Sequence, residues 1–171
     1  MTKIPTAEKS GFIATLNNMG YMTAGLDPYS QRFVDYAAQH KNNKVLEIGA
    51  AYGVATLAAL RHGCKMVAND LDNKHLEILK SNTPEQYLKN LELKAGSLPK
   101  ELSFPENSFK AILICRGLHF FKGEDIELSA KKLYDWLMPG GKLFVVAETP
   151  YMGTVLPFLP TYLKNKAANK K

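Results

Sequence analysis

Five short apolar runs, KVLEIG, KMVAND, LELKAG, FKAILIC and KLFVVAE, succeed one another between Lys44 and Glu148. Helical patterns stand between most of them. VATLAALRHG follows the first run, NKHLEILKSN follows the second, and EDIELSAKKLYDWLM precedes the fifth. Strands alternating with helices predict a parallel sheet with helices on both faces. FKAILIC carries the unbroken apolar run of a strand buried on both sides. Right-handed crossovers restrict the topology to a doubly wound α/β sheet. Gly63 suits a left-handed cap on the first of these helices. Residues 97–108, with Pro99 and Pro105, read as a loop holding a short turn. Ahead of the first run, residues 6–18 and 28–40 read as two helices. Pro28 suits a first helical turn, and Asp27 before it can cap.

A chain of 171 residues is one domain, 1–171, long enough for a sizeable core. Its 46% hydrophobic and 22% charged content is that of a soluble globular chain. No apolar run of about 18 residues predicts a membrane span, and MTKIPTAEKSGF lacks the apolar core of a signal peptide. Cys64 and Cys115 have no metal-ligand spacing and read as free thiols in a reducing cytoplasm, so no metal is expected. The formal charge of +6 is concentrated in Lys164, Lys166, Lys170 and Lys171; without them the balance falls to +2. The body is near neutral, which argues against a nucleic-acid partner. No repeat or low-complexity segment interrupts the chain.

The loop leaving the first strand, in VLEIGAAYGVAT, is where a doubly wound sheet binds ligands. Gly49 and Gly53 let the backbone approach a ligand and turn tightly into a helix. A dinucleotide loop would set a pyrophosphate on that helix end. Glu47, just before the loop, disfavours a phosphate and suits a cation. Asp70 closes the second strand 21 residues after Gly49, where an acid can accept hydrogen bonds from ribose hydroxyls. Ribose and positive charge without phosphate describe S-adenosylmethionine. Plainer roles compete at each position: loop capping for Glu47, turn formation for the glycines, a helix N-cap for Asp70.

Over residues 44–150 the chain resembles the class I S-adenosylmethionine-dependent methyltransferases, nearest the ubiquinone and sterol methyltransferase branch. VLEIGAAYG, VANDLD, AGSLPKELSFPENSFKAILICRGLHFF and LMPGGKLFVVAE carry the likeness, in order and at family spacing. The resemblance implies sheet order 3-2-1-4-5 and cofactor contacts at Glu47, Gly49, Ala50, Ala51, Gly53 and Asp70. It further implies apolar cover of the adenine by Leu71, contacts at its edge from Ser97 and Leu98, and contacts to the methionine moiety from Cys115 and Arg116. His119 is a candidate base, and Tyr21 a candidate to close over the donor, each against an ordinary structural role. The departures are Ala51 for the middle glycine, Ser97 where an aspartate is common, and Lys110 after Phe109. Segment 1–40 is expected to act as helical lid, and 151–171 as a partial substrate cover with a basic tail. The family's C-terminal antiparallel hairpin is missing, as if the chain were cut within the cover segment. KLFVVAE is then an edge strand, open to pairing in a homodimer.

The expected function is methyl transfer from S-adenosylmethionine to a small-molecule acceptor. Proximity and exclusion of water carry most of such chemistry, and a base is needed only where the acceptor must lose a proton. Two alternatives stand beside it. One is a module that binds S-adenosylmethionine or S-adenosylhomocysteine without turnover, its lysine tail holding an acidic partner. The other is a nicotinamide-dependent dehydrogenase, disfavoured by Glu47 and by the lack of G-x-G-x-x-G.

Overall fold

The computed structural model describes residues 4–9, 11–153 and 155–168. The expected sheet is present. β3 (Lys44–Ile48), β4 (Lys65–Asp70), β5 (Leu91–Ala95), β6 (Phe109–Cys115) and β7 (Leu137–Val146) lie in the order β5-β4-β3-β6-β7. All four pairings are parallel. Counted along the five apolar runs, this is 3-2-1-4-5.

Alternation along each strand divides the core between two faces. On one face Val45, Met66, Ala111 and Leu113 meet Phe33, Val34 and Ala37 of α1 (Pro28–Ala38) and Ala55, Ala59 and Leu60 of α2 (Val54–Arg61). On the other face Leu46, Val67, Ile112 and Ile114 meet Leu133 and Trp136 of α5 (Gly123–Trp136), together with Leu98 and Leu102 from the loop after β5. Asp27 caps α1 through its carboxylate, as expected of an acid at that place. Gly63, at φ +81°, takes the left-handed position after α2. α3 (Asn73–Asn82) and a short α4 (Glu85–Leu88) complete the crossover from β4 to β5. The winding reverses between β3 and β6, so the loops leaving those two strands diverge and open a crevice.

Three local expectations need correction. Residues 6–18 do not form a helix. Phe12–Ala14 (β1) and Tyr21–Thr23 (β2) pair antiparallel as a hairpin. Its turn is fixed by Asn18 at φ +56°, by Thr15 Oγ1 donating to the Gly20 carbonyl, and by Asn17 Oδ1 accepting from the Met19 amide. Asparagine and glycine in LNNMG favour such a turn over helix. Second, Pro139-Gly140-Gly141, which reads as a turn leading into the fifth strand, is instead a bulge within β7, because the strand already begins at Leu137. Phe109 pairs with Leu137 and Ala111 with Lys142, so the residues between them loop out around Gly140 at φ +68°. Third, the tail carries a helix of its own, α6 (Leu159–Ala167). Lys164 and Lys166 lie in its last turn, and Lys170 and Lys171 fall outside the described residues. Among the described residues nothing pairs with the outer side of β7, and its Leu143 and Val145 are exposed.

Candidate cofactor and acceptor site

The crevice widens into a cavity of about 610 Å³ at the carboxyl ends of the strands. Its floor is the loop after β3. Gly49, Ala51 and Gly53 all take left-handed conformations, at φ +72°, +47° and +82°. The alternation explains why this loop favours glycine at every second position, and Ala51 occupies one of those positions with a side chain. A Cβ built on Gly49 would meet nothing within 4 Å, so the backbone there faces open space. Gly53 differs. It does not line the cavity, and a Cβ on it would fall 2.2 Å from Leu79 Cδ1. Its lack of a side chain serves the packing of α3 on the loop.

Two acids underlie this floor. Glu47 is buried at 5% exposure, and its Oε2 accepts from both the amide and the hydroxyl of Thr56 in the first turn of α2. Burial pushes its carboxyl up to about 7, against the lowering effect of the Thr56 bonds, and the charge of Asp70 adds to the rise. Asp70 ends β4. Its Oδ2 accepts from the Ala51 amide at 2.8 Å, and its Oδ1 accepts from the Asp72 amide at 2.9 Å and faces His75 Nδ1 at 3.0 Å. A carboxylate offers about four acceptor positions. Three are filled, and one remains on Oδ2.

A methyltransferase-domain family model matches residues 45–141, the span that builds this floor. The chain belongs to the methyltransferase-domain family. Its fold is that of the class I enzymes. YcgJ of Bacillus subtilis superposes with a TM-score of 0.59 at 21% identity, over 79% of this chain and 58% of that one. The glycopeptide N-methyltransferase MtfA, complexed with (S)-adenosyl-L-methionine, gives 0.58 at 20% identity, over 68% and 48%. An S-adenosylmethionine-dependent methyltransferase of Mesorhizobium loti gives 0.56 at 22%, over 68% and 56%. The chain thus spans about half the length of these proteins. No curated protein matches it.

The other expected residues reach the same cavity, Tyr21 from the hairpin ahead of the methyltransferase domain. Ala50, Leu71, Ser97, Leu98, Cys115, Arg116, His119 and Tyr21 all line it. Leu71 is 52% exposed there, a side chain left open at the end of β4. Ser97 gives both its amide and its hydroxyl proton to Glu101 Oε2, each at 2.7 Å, so its oxygen keeps only lone pairs for a ligand. Those bonds hold the Glu101 carboxyl below its usual range. Arg116, at φ +52°, is not an open anion clamp. Its guanidinium meets Asp27 Oδ2 at 3.2 Å and Glu148 Oε1 at 3.6 Å. Burial raises the Asp27 carboxyl, but the bonds from Ser30, Arg116 and the Tyr29 amide outweigh it and hold the group below its usual range. Burial pushes the Cys115 thiol up, away from reactivity. His119 sits exposed in the short turn Leu118–Phe120, its ring 4.1 Å from that of Phe120.

Sequence reasoning missed several of the groups around the cavity. Asp27 was visible only as a helix cap. Asn69 is buried in β4 and donates to the carbonyls of Lys94 and Gly96, tying β4 to the loop after β5. His75 lies beneath Asp70. The available signal was a polar residue within an apolar stripe: Asn69 beside Val67 and Ala68, His75 beside Leu76 and Ile78. The cover was expected as segments, 1–40 as a lid and 151–171 as a substrate cover, but not by its side chains. Phe12, Met19, Met22, Phe120 and Met152 line the cavity opposite the floor. Among the described residues no helix is long and apolar enough to cross a membrane.

Proposed function

We propose that the chain binds S-adenosylmethionine and directs its methyl group to a small-molecule acceptor. The observation that carries this reading is the floor. A loop with left-handed backbone at Gly49 and Ala51 opens to the cavity, with a ribose-height carboxylate at Asp70 and a buried acid at Glu47. The residues present fit the cofactor. Asp70 Oδ2 keeps one acceptor position for a ribose hydroxyl, one fewer than a bond to each of the two ribose hydroxyls would need. Leu71 and Leu98 supply apolar surface for the adenine, and the Ser97 oxygen can accept at its edge. Glu47, Cys115 and the backbone at Arg116 stand where the methionine moiety belongs. When bound, the cofactor supplies an electrophilic methyl on a sulfonium.

The chain's own part is placement and exclusion of water. Holding two reactants in line supplies as much as ~7–11 kcal/mol. The apolar cover from Phe12, Met19, Tyr21, Met22, Phe120 and Met152 supports an acceptor with substantial apolar surface, in keeping with the small-molecule, ubiquinone- or sterol-methyltransferase-like branch. His119, which lines the cavity, is the candidate to accept a proton from an acceptor hydroxyl or acidic carbon. Two free thiols, Cys64 and Cys115, support a reducing, cytoplasmic compartment. The open edge of β7, with exposed Leu143 and Val145, supports pairing with a second copy, which sedimentation over a concentration series tests.

Calorimetric titration with S-adenosylhomocysteine and with NAD is the test. S-adenosylhomocysteine should bind and NAD should not. Asp70→Ala should lower the affinity at least about tenfold, since one hydrogen bond to a charged group contributes about 1.5–3 kcal/mol. Unchanged binding in that variant removes Asp70 from the ribose. A screen of acceptors with labelled donor then separates a transferase from a binding module.

A further inference from the structure

His75 stands outside every motif that marks the site, yet it is 1% exposed and lines the cavity wall. α3 puts it there. Asp72 caps the helix, and Leu76, Ile78 and Leu79 turn its apolar stripe against the sheet. The Nδ1 of His75 lies 3.0 Å from Asp70 Oδ1, and Tyr52 meets the ring edge-on at 5.2 Å between centroids. Its Nε2 is buried without a hydrogen-bond partner among the described residues.

We infer that His75 is a positioning residue for Asp70, one that fills the second acceptor place on Oδ1 and thereby leaves Oδ2 as the only oxygen open to a ribose hydroxyl. The inference rests on the cofactor reading above. The ring nitrogen that faces a carboxylate must carry the proton, because two acceptors at 3.0 Å would repel. A proton on Nε2 would bury a donor with nothing to receive it. The partners therefore assign a hydrogen to Nδ1. The orphaned Nε2 is itself informative. At this buried position leucine or methionine would pack against Tyr52 without a stranded nitrogen. The imidazole makes sense for the bond it gives to Asp70. The two amides on Asp70 come from loops on either side of it, Ala51 on Oδ2 and Asp72 on Oδ1. Among the described residues His75 alone reaches the carboxylate from a side chain on a helix packed into the core, and it adds a third bond to the two that the loops supply.

The test compares wild type, His75→Leu, His75→Asn and His75→Gln by titration with S-adenosylhomocysteine. Asparagine carries an amide nitrogen at about the reach of Nδ1, whereas glutamine overshoots it. His75→Leu and His75→Gln should weaken binding about five- to tenfold, and His75→Asn should stay within about twofold of wild type. In an Asp70→Ala background none of the three should add a further loss. Equal affinities for the asparagine and glutamine forms overturn the inference, and they decide it even where the leucine form fails to fold. Nitrogen-15 shifts of the His75 ring in the ligand-free protein give a readout independent of the cofactor: hydrogen on Nδ1 supports the inference and hydrogen on Nε2 overturns it. A wild-type chain that binds no S-adenosylhomocysteine sinks the cofactor reading and this inference with it. Tight wild-type binding with no effect of His75→Leu sinks this inference alone.

Discussion

The floor of the cavity and its cover are built on different principles. On the floor Glu47, Asp70 and His75 are nearly inaccessible, and hydrogen bonds to backbone or to one another orient both carboxylates. On the cover Tyr21 is 58% exposed, Phe120 49% and Met152 36%, and they stand on a two-stranded hairpin, a single turn and a loop. The floor inherits its geometry from a five-stranded parallel sheet, so its groups are placed before any ligand arrives. The cover has only local structure to hold it. In the proposed function, a cofactor common to a family meets the rigid part, and an acceptor particular to one chain meets the part that sequence change can remodel without touching the sheet.

Glu47→Gln probes the floor with the largest expected effect. The folded protein holds the Glu47 proton up to about pH 7, whereas an unfolded chain releases it near 4.5. The contribution to stability is therefore complete below about 4.5 and is lost as pH rises through about 7. At pH 8 the loss is on the order of 3 kcal/mol, and the glutamine form should escape it. Urea titrations at pH 5 and pH 8 should show wild type weakening with pH more than the variant does. At pH 8, where Glu47 is ionised in the wild type, the variant should also bind the cationic cofactor more weakly. Equal pH dependence in both forms would mean that Glu47 is well solvated.

A smaller effect is expected at Ala51. Its left-handed backbone strains an alanine by roughly 1–2 kcal/mol, and glycine relieves this at some cost in chain entropy. Ala51→Gly should stabilise the fold by about 1 kcal/mol, a rise of about 2–4 °C in Tm for a chain of this size. A fall in Tm would place the methyl group in a contact worth more than the strain.

The smallest effect on stability is expected on the cover, and it sharpens the contrast most. Tyr21→Ala should leave unfolding within about 0.5 kcal/mol of wild type, as for an exposed side chain. S-adenosylhomocysteine affinity should stay within about twofold, while the KM for any acceptor found in the screen moves. Collapse of cofactor binding in this variant would erase the division between floor and cover.

The same division governs what was legible in the sequence. The central strands β3, β4 and β6 are apolar runs whose burial on both faces leaves little choice of structure, and FKAILIC became β6, in unbroken register with β3 and, past one bulge, with β7. Glu47, Gly49 and Asp70 were readable because a sheet end fixes their spacing. The hairpin was not. Ile13 and Leu16 have helical spacing, and the signal that overrode it was a left-handed Asn18 together with a distant residue, Tyr52, whose hydroxyl accepts from the Leu16 amide. The β7 bulge was hidden because Pro-Gly-Gly reads as a turn whether or not the flanking residues pair. His75 was hidden for another reason. Its spacing to Asp70 has no regular period, since a strand end, a turn and a helix start intervene, and only the folded chain shows that the two meet.

Tyr52 has one more consequence. Its hydroxyl donates to the Ala14 carbonyl at 3.2 Å and accepts from the Leu16 amide at 3.0 Å, while its ring rests on His75. One residue of the floor loop thus pins the hairpin of the cover. The hairpin cannot swing aside as a rigid flap without stripping two backbone groups of their partner. Opening the cavity on that side then requires those two bonds to break, so the residence time of a bound molecule would follow how often the hairpin lets go of Tyr52 rather than how tightly the molecule itself is gripped.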